Sequence, residues 1–201
     1  MNLPLCIETI RLADGQLSNL LYHNERLNRT RWACFAATKE WDLNELIDIP
    51  QEVTQGLYKC RVTYGRKIEK IEFEVYQPRV IKSLLLVVDD AIEYGFKFLD
   101  RAALQRNFDK RGKADDVLII KAGLITDTSY ANVAFWNGSQ WITPDKPLLK
   151  GTKRAQLLRD GVIVEQKIRV EDLAVFTHVR LINAMLDFGS TPMIEVSQIG
   201  F

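Results

Sequence analysis

Cysteine and histidine are scarce in this sequence, which has 201 residues but only three cysteines and two histidines. Cys6, Cys34 and Cys60 are odd in number and include no Cys-x-x-Cys pair, so neither a disulfide framework nor a thiolate metal site is expected. His23 and His178 lack the i, i+4 spacing of two metal ligands on one helix. The sequence therefore predicts no metal centre.

The sequence also lacks an excess of charge of one sign, because 27 Lys and Arg residues stand against 26 Asp and Glu residues and give a net charge of +1. A chain this close to neutrality has no overall field to attract nucleic acid or an anionic membrane, so we expect neither partner. Long apolar runs are missing too, and the N-terminal segment has no basic region followed by a signal-length apolar core. These features predict a cytoplasmic protein.

The chain does contain enough apolar material for a sizeable core, since 47% of its residues are hydrophobic. That amount is compatible with one large domain or two small ones. Gln77-Pro78-Arg79 interrupts a strand-like segment and is the best candidate for a boundary. We therefore predict a small N-terminal α/β lobe over residues 1–78 and a larger C-terminal lobe over residues 79–201.

Hydrophobic periodicity and turn residues predict the elements of both lobes. In the N-terminal lobe we expect a hairpin over residues 5–11 and 17–21, helices over residues 22 to about 37 and 41–49, and a second hairpin over residues 56–64 and 67–76. In the C-terminal lobe we expect helices near residues 102–110 and 155–159 and strands at residues 83–88, 117–121, 131–136, 140–143, 162–170, 179–182 and 193–199. Asn137-Gly138 predicts a two-residue type I′ turn. The predicted fold class is α/β (α+β), with a curved or barrel-like sheet.

Arg26 lies on the first predicted helix together with Arg29 and Arg31. Arginines on a helix usually form a solvated basic face, and the pattern alone favours that interpretation. The alternative hypothesis is that Arg26 binds an anion.

Lys97 stands among aromatic and apolar residues, namely Tyr94, Phe96, Phe98 and Leu99. If these residues enter a core, the amine is drawn inside, where desolvation lowers its pKa and favours the neutral, nucleophilic form. In the alternative, strand side chains alternate and Lys97 points to water opposite Phe96 and Phe98. Periodicity alone favours the alternative.

The region from residue 125 to residue 160 contains two further candidates. Around Asp127, residues 125–132 supply hydroxyl and amide side chains rather than lysines, which is unusual for a simple turn. Gly151-Thr152 opens a predicted helix whose first N–H groups could hold an anion. This region therefore offers a candidate buried carboxylate and a candidate anion-binding site.

Seven short motifs follow one another over nearly the whole chain. They are Glu8-Thr-Ile-Arg11, His23-Asn-Glu-Arg26-Leu27, Lys97-Phe-Leu-Asp-Arg101, Ile125-Thr-Asp127-Thr-Ser-Tyr-Ala-Asn132-Val133, Thr143-Pro144, Leu149-Lys-Gly151-Thr152-Lys-Arg154 and Ile182-Asn183-Ala184-Met185. Their order and spacing resemble the class IV aminotransferase family. That family includes branched-chain and D-amino-acid aminotransferases and 4-amino-4-deoxychorismate lyase, all pyridoxal-phosphate (PLP) enzymes of fold type IV.

The resemblance implies a two-lobe fold type IV enzyme with PLP as its cofactor and Lys97 as its catalytic residue. Lys97 matches the lysine that links covalently to the cofactor and moves the substrate's α-proton. This match overrides the interpretation of Lys97 as an exposed lysine. Asp127 matches the carboxylate that lies against the pyridine nitrogen and keeps the ring protonated.

The resemblance also implies three contacts to the cofactor phosphate. Arg26 matches the phosphate-binding arginine, whose guanidinium suits phosphate oxygens. Gly151 and Thr152 would form the second contact at the helix N-terminus, and Asn183 would form the third.

Two features depart from the family pattern. The family usually has glutamate at the position of Asp127, and aspartate is one methylene shorter, so the ring would lie closer or a water would bridge. The sequence also begins almost at the Glu8-x-x-Arg11 strand, whereas relatives carry a further N-terminal strand and an aromatic-Gly loop beside the substrate pocket. We therefore expect the substrate pocket to differ from that of longer relatives.

The implied function is catalysis on a small amino compound. The preferred hypothesis is a lyase that forms 4-aminobenzoate and pyruvate, because Ile182-Asn183-Ala184-Met185 is more similar to the lyase turn than to the Gly-Thr-Ala turn of branched-chain aminotransferases. The alternatives are a D-amino-acid or branched-chain aminotransferase and a non-catalytic PLP-binding protein. A hydrolase is not favoured, since the sequence has no Gly-x-Ser-x-Gly motif. The resemblance also implies a homodimer.

Overall fold

A computed structural model describes residues 4–201 of the chain. The chain divides into two compact units. The first unit contains the residues up to Pro78 together with Phe96–Asp100, and the second contains Arg79–Gly95 and Arg101–Phe201. The chain therefore passes between the units three times.

The first unit is an antiparallel sheet with one long helix. Its elements are β1 (Cys6–Ala13), β2 (Gln16–Leu17), α1 (Leu20–Phe35), α2 (Leu43–Leu46), β3 (Leu57–Tyr64) and β4 (Ile68–Val75). The strand order is β2-β1-β3-β4. Alternate side chains of β1 and β3 face α1, and Ile10, Val62 and Tyr64 pack with Leu27 and Phe35 in the core of this unit.

Two predicted elements of the first unit are shorter in the structure. The predicted strand over residues 17–21 is reduced to Gln16–Leu17, because α1 already begins at Leu20. The predicted helix over residues 41–49 is a single turn, Leu43–Leu46, whose first turn is capped where Asp42 Oδ1 accepts a hydrogen bond from Asn44 N at 2.9 Å.

The segment around Lys97 extends the pairing at the beginning of β1. Ile7 N donates to Lys97 O at 2.9 Å, and Leu99 N donates to Leu5 O at 2.8 Å. Phe98 forms an antiparallel bridge with Cys6. The backbone of Lys97 is thus fixed by the edge of the first sheet.

The second unit contains two sheets. Its strands and helices are β5 (Leu84–Val88), α3 (Ala102–Phe108), β6 (Asp116–Lys121), β7 (Leu124–Thr128), β8 (Asn132–Trp136), β9 (Trp141–Pro144), α4 (Thr152–Arg159), β10 (Ile163–Gln166), β11 (His178–Ile182), β12 (Ile194–Glu195) and β13 (Ile199–Gly200). The strand orders are β13-β5-β6-β7 and β10-β9-β8-β11-β12. Leu118, Val133 and Phe135 are buried in the apolar core that both sheets share. The chain crosses from one sheet to the other between β7 and β8.

Strand β7 occupies a region where the sequence predicted only a connection. It pairs with β6 through a two-residue turn, Ala122-Gly123, in which both residues have positive φ, 50° and 74°. Ala122 N donates to Asp90 Oδ1 at 2.7 Å, which helps to hold this alanine in a conformation that alanine rarely adopts. No sequence pattern indicates this turn, because alanine is not a typical residue for it.

The predicted type I′ turn at Asn137-Gly138 is wrong. Trp136 pairs with Trp141, so four residues form the loop. Asn137 Oδ1 accepts hydrogen bonds from Ser139 N and Gln140 N, both at 2.9 Å, and Gly138 has a φ of 97°. The asparagine side chain thus closes the loop in place of a two-residue turn.

The predicted strands over residues 162–170 and 193–199 are also interrupted. The first is limited to β10, and the second is divided into β12 and β13 by a single 3-10 turn, Val196–Gln198. Within residues 4–201, no helix has the length and apolar character needed to span a bilayer.

Candidate functional site

Lys97 belongs to the first unit, on the extended segment that pairs with the beginning of β1. Its side chain is half-buried, as are those of Phe96 and Phe98 on either side. The alternation that would place Lys97 in water opposite two buried aromatic rings is therefore not observed.

Arg26 is buried on α1 and forms an ion pair inside the first unit. Its Nε donates to Glu8 Oε1 at 2.9 Å, and its Nη2 donates to Glu8 Oε2. Glu8 lies on β1 and also bonds to Nδ1 of His23, at 2.6 Å. Arg26 is 6% exposed, and Glu8 and His23 are fully buried. The interpretation of Arg26 as part of a solvated face is wrong.

The electrostatics of this cluster depend on burial and on neighbouring charges. Burial alone would raise the pKa of Glu8, but the Arg26 charge and the His23 hydrogen bond outweigh it and lower the pKa to about 2. Burial lowers the pKa of His23 against the effect of Glu8, and the charges of Arg26 and Lys97 lower it further. Arg26 and Lys97 thus both act on His23, which brings two predicted site residues into one electrostatic neighbourhood.

Arg31 is a second buried arginine on α1, so the predicted basic face is wrong there as well. Its guanidinium stacks on the Trp41 ring at 3.4 Å from the centroid, and Nη1 donates to Lys39 O at 2.6 Å. This stacking shields the guanidinium from water. Arg29, in contrast, is exposed.

Asp127 is buried near the end of β7 in the second unit. Its Oδ1 accepts a hydrogen bond from Asn132 Nδ2 at 2.8 Å, and its Oδ2 accepts one from Leu149 N at 2.9 Å. Burial raises the pKa of Asp127 to about 6, although these two bonds and the Arg154 charge act in the opposite direction. At neutral pH this buried carboxylate is therefore mostly ionised.

Gly151 and Thr152 begin α4. Gly151 is the N-cap residue, so no cap side chain competes for the first N–H groups of the helix. Thr152 is 3% exposed and lies within the first turn. The first N–H groups of α4 are therefore not bonded by a cap side chain, and the anion-binding role of Gly151 and Thr152 stays a prediction.

Asn183 directly follows β11 and is half-buried. Its Oδ1 accepts a hydrogen bond from Met185 N at 2.9 Å, which stabilises the turn after the strand. The preceding residue, Ile182, pairs with Asn132 at the beginning of β8. Asn183 therefore directly follows the residue that pairs with Asn132.

Several polar residues of these two neighbourhoods had no role in the sequence interpretation. In the first unit they are Glu8 and His23. In the second unit they are Asn132 and Arg154, whose Nη2 bonds to Pro144 O at 2.6 Å and to Glu165 Oε1 at 2.7 Å. All four lie within the seven motifs. The partners of Glu8, His23 and Arg154 lie in other parts of the sequence, whereas Asn132 bonds to Asp127 within one motif. Motif spacing alone does not indicate any of these contacts.

Comparison with known proteins identifies similar sequences. A family model described as amino-transferase class IV matches residues 5–198. An uncharacterized protein from Haemophilus influenzae is 36% identical over 180 residues, which are 89% of this chain and 96% of that protein.

Solved structures with a similar fold include a putative 4-amino-4-deoxychorismate lyase from Haemophilus somnus 129PT. It has a TM-score of 0.84 and 36% identity, with 92% of this chain and 98% of that chain covered. A putative amino-acid aminotransferase from Mesorhizobium loti has a TM-score of 0.77 and 20% identity, with 95% and 97% covered. At 20% identity, the similarity to the Mesorhizobium loti protein concerns the fold alone.

Proposed function

The chain belongs to the class IV aminotransferase family, and from this membership we propose that it is a PLP-dependent enzyme that acts on a small amino compound. We further propose that its reaction is the conversion of 4-amino-4-deoxychorismate into 4-aminobenzoate and pyruvate. The observation that carries this choice is the similarity to the Haemophilus somnus protein, which extends over 92% of this chain at 36% identity.

The buried polar groups of the second unit fit the two ends of the cofactor. Asp127 supplies a carboxylate that is mostly ionised at neutral pH and suits a protonated ring nitrogen. The glycine cap of α4 supplies backbone N–H groups that suit a phosphate. We assign Asp127 to the pyridine nitrogen and Gly151, Thr152 and Asn183 to the phosphate.

In the first unit, the family resemblance assigns Arg26 to the cofactor phosphate and Lys97 to the covalent link. The guanidinium of Arg26 suits phosphate oxygens, and Glu8 fixes its orientation through two hydrogen bonds. Lys97 carries the amine for the covalent link, on a backbone that is held by hydrogen bonds to β1.

When bound, PLP would supply an electron sink for the carbon that bears the substrate's amino group. Lys97 would take the proton from that carbon, and Asp127 would hold the proton on the ring nitrogen. As the substrate ring becomes aromatic, the bond between the ring carbon and the enolpyruvyl oxygen breaks. That group takes up a proton and leaves as pyruvate, so no oxidant or second substrate is required.

We also propose that the protein is a cytoplasmic homodimer. The family resemblance supports the dimer, and the three free thiols, Cys6, Cys34 and Cys60, are typical of a reducing compartment. Sedimentation of the purified protein at micromolar concentration tests the dimer, and a monomer under those conditions would contradict it.

Incubation with 4-amino-4-deoxychorismate tests the proposed reaction. Purified protein loaded with PLP should form 4-aminobenzoate and pyruvate in equal amounts, and the Lys97→Ala variant should form neither. A parallel incubation uses a panel of L- and D-amino acids with 2-oxoglutarate. Glutamate formation without 4-aminobenzoate would show an aminotransferase instead, and a protein that binds PLP without either activity would be a non-catalytic binder.

A further inference from the structure

Asn132 is a buried residue, 6% exposed, that contacts three parts of the second unit. Its Nδ2 donates to Asp127 Oδ1 at 2.8 Å and to the backbone oxygen of Leu149 at 2.8 Å. The two acceptors use both hydrogens of the amide nitrogen. One side chain thus bridges the carboxylate and the segment that leads into α4.

These bonds fix the carboxylate of Asp127 from both sides. Asn132 holds one oxygen, while the N–H of Leu149 holds the other at 2.9 Å. Leu149 therefore both donates to Asp127 and accepts from Asn132. A carboxylate with both oxygens held in this way cannot rotate about its terminal bond without breaking a hydrogen bond.

The amide oxygen of Asn132 lies against Gly151. A Cβ at position 151 would overlap Asn132 Oδ1, so the N-cap of α4 and the asparagine side chain share one tightly limited space. This observation is independent of the hydrogen bonds, and it connects Asn132 to the helix N-terminus. The backbone of Asn132 is itself fixed, because it pairs with Ile182.

We propose that Asn132 is a positioning residue that holds the Asp127 carboxylate and the Leu149–Gly151 segment in one fixed arrangement, so that the carboxylate and the N-terminus of α4 act on a single ligand. This inference rests on the proposed function, because PLP is the ligand that requires both groups. Asn132 acts through Asp127 and the α4 N-terminus rather than on the substrate.

Loss of the Asn132 amide should change Asp127 before any cofactor is added. The hydrogen bond from Asn132 stabilises the ionised carboxylate, together with the Leu149 N–H and the charge of Arg154. In Asn132→Leu, which is similar in size but has no donor, the pKa of Asp127 should rise. Asn132→Asp keeps the shape but places a second carboxylate beside the first, so the pKa should rise further.

NMR titration of the cofactor-free protein measures this effect directly. The amide proton of Leu149 reports the ionisation of Asp127, and in the unsubstituted protein its midpoint should lie near pH 6. The side-chain amide protons of Asn132 should titrate with the same midpoint. If they do not, Asn132 does not hold Asp127 and the proposal is wrong, whether or not the variants fold.

Asn107→Leu is the matched control. Asn107 is another buried asparagine of the second unit, and its Nδ2 donates to an aspartate, Asp89, at 2.6 Å. This variant loses a comparable hydrogen bond and should lose a similar amount of stability. It should leave the Leu149 midpoint and the affinity for PLP unchanged.

Equilibrium titration of each cofactor-free protein with PLP provides the second measurement. We expect Asn132→Leu to bind PLP more weakly by on the order of tenfold, as for the loss of a hydrogen bond to a charged group. An unchanged midpoint and unchanged affinity would overturn the proposal, as would equal effects in Asn107→Leu. If Asn132→Leu raises the Leu149 midpoint but the unsubstituted protein does not bind PLP, the proposed function is refuted. The positioning of Asp127 by Asn132 is still supported by that result.

Discussion

Glu8 accepts two hydrogen bonds from the guanidinium of Arg26, although the two residues lie 18 positions apart and belong to different elements, β1 and α1. Both side chains are removed from solvent, so neither charge can be satisfied by water. A buried pair of this kind is expensive to break, because the remaining charge has no solvent to stabilise it.

We therefore expect Glu8→Gln to lower the free energy of unfolding by about 3 to 5 kcal/mol. Urea unfolding of the cofactor-free protein measures the change. Glu74→Gln is the control in the same unit, since the ion pair of Glu74 with Lys59 is at the surface and should contribute at most about 1 kcal/mol. Equal losses in the two variants would contradict the assignment of the Glu8 pair as buried.

The same cluster predicts a loss of stability in acid. The pKa of His23 is lower in the folded protein than in the unfolded chain. The contribution of His23 to the free energy of unfolding therefore declines as the pH falls below about 6.5. The pKa of Glu8 is about 2 when folded, against a reference value of 4.5, so roughly 3 kcal/mol is lost as the pH falls from about 5 to about 2. The free energy of unfolding, measured between pH 7 and pH 3, should decline less steeply in Glu8→Gln than in the unsubstituted protein. Parallel curves for the two proteins would show that the loss of stability in acid does not come from Glu8.

Lys97→Ala should abolish the covalent link to PLP and leave the fold intact. Lys97 is half-buried, and its backbone hydrogen bonds do not depend on the side chain. Borohydride reduction followed by peptide mapping should place the label on Lys97 in the unsubstituted protein. Lys153→Ala, which removes an amine bonded to Gln156 Oε1, is the control and should keep the label. A label on Lys121, Lys150 or Lys153 would refute the assignment.

Asp127→Asn should separate binding from turnover. The variant should still bind PLP through the phosphate contacts, but turnover should fall by on the order of a hundredfold or more, because a neutral amide cannot hold the proton on the ring nitrogen. Since Asp127 becomes protonated below about pH 6, the affinity of the unsubstituted protein for PLP should decline below that pH, and the variant should lack this component. Loss of PLP with unchanged turnover per bound cofactor would indicate a structural role.

Gly151→Ala should weaken PLP binding although its φ of −70° is accessible to alanine. The added methyl group would overlap Asn132 Oδ1, so either the asparagine or the helix N-terminus must move. Titration with PLP measures the loss. Gly161→Ala at the other end of α4 is the comparison: its φ of 68° costs stability, but its Cβ would meet no atom within 4 Å. Equal affinity in both variants would contradict the role of the Gly151 cap.

The sequence predicted the class IV family and the fold class, and the comparisons confirm both. The motifs predicted the family correctly because the residues of each motif are close in sequence. The site assignments to Lys97, Arg26, Asp127, Gly151, Thr152 and Asn183 stay predictions. The structure adds that Arg26 and Asp127 are buried, as an ion pair and as a hydrogen-bonded carboxylate.

The errors have physical causes that local patterns do not contain. The prediction of a solvated face on α1 is wrong because Glu8, on strand β1, neutralises Arg26 and because Trp41 covers Arg31. The hairpin turn at Ala122-Gly123 was missed because a hydrogen bond that Ala122 N donates to distant Asp90 supports the positive φ of alanine. In each case the deciding partner lies at least ten positions away in the sequence.

The first unit is discontinuous in sequence, since it requires Phe96–Asp100 in addition to the residues up to Pro78. During synthesis on the ribosome, β1, β3 and β4 can pair as soon as Val75 has emerged. The backbone groups of Leu5 and Ile7 then wait for Leu99 and Lys97, which are added more than 20 residues later. Folding of the first unit is therefore completed only when the segment with Lys97 has been made, and a fragment that ends at Pro78 would leave one sheet edge open to pairing with other chains.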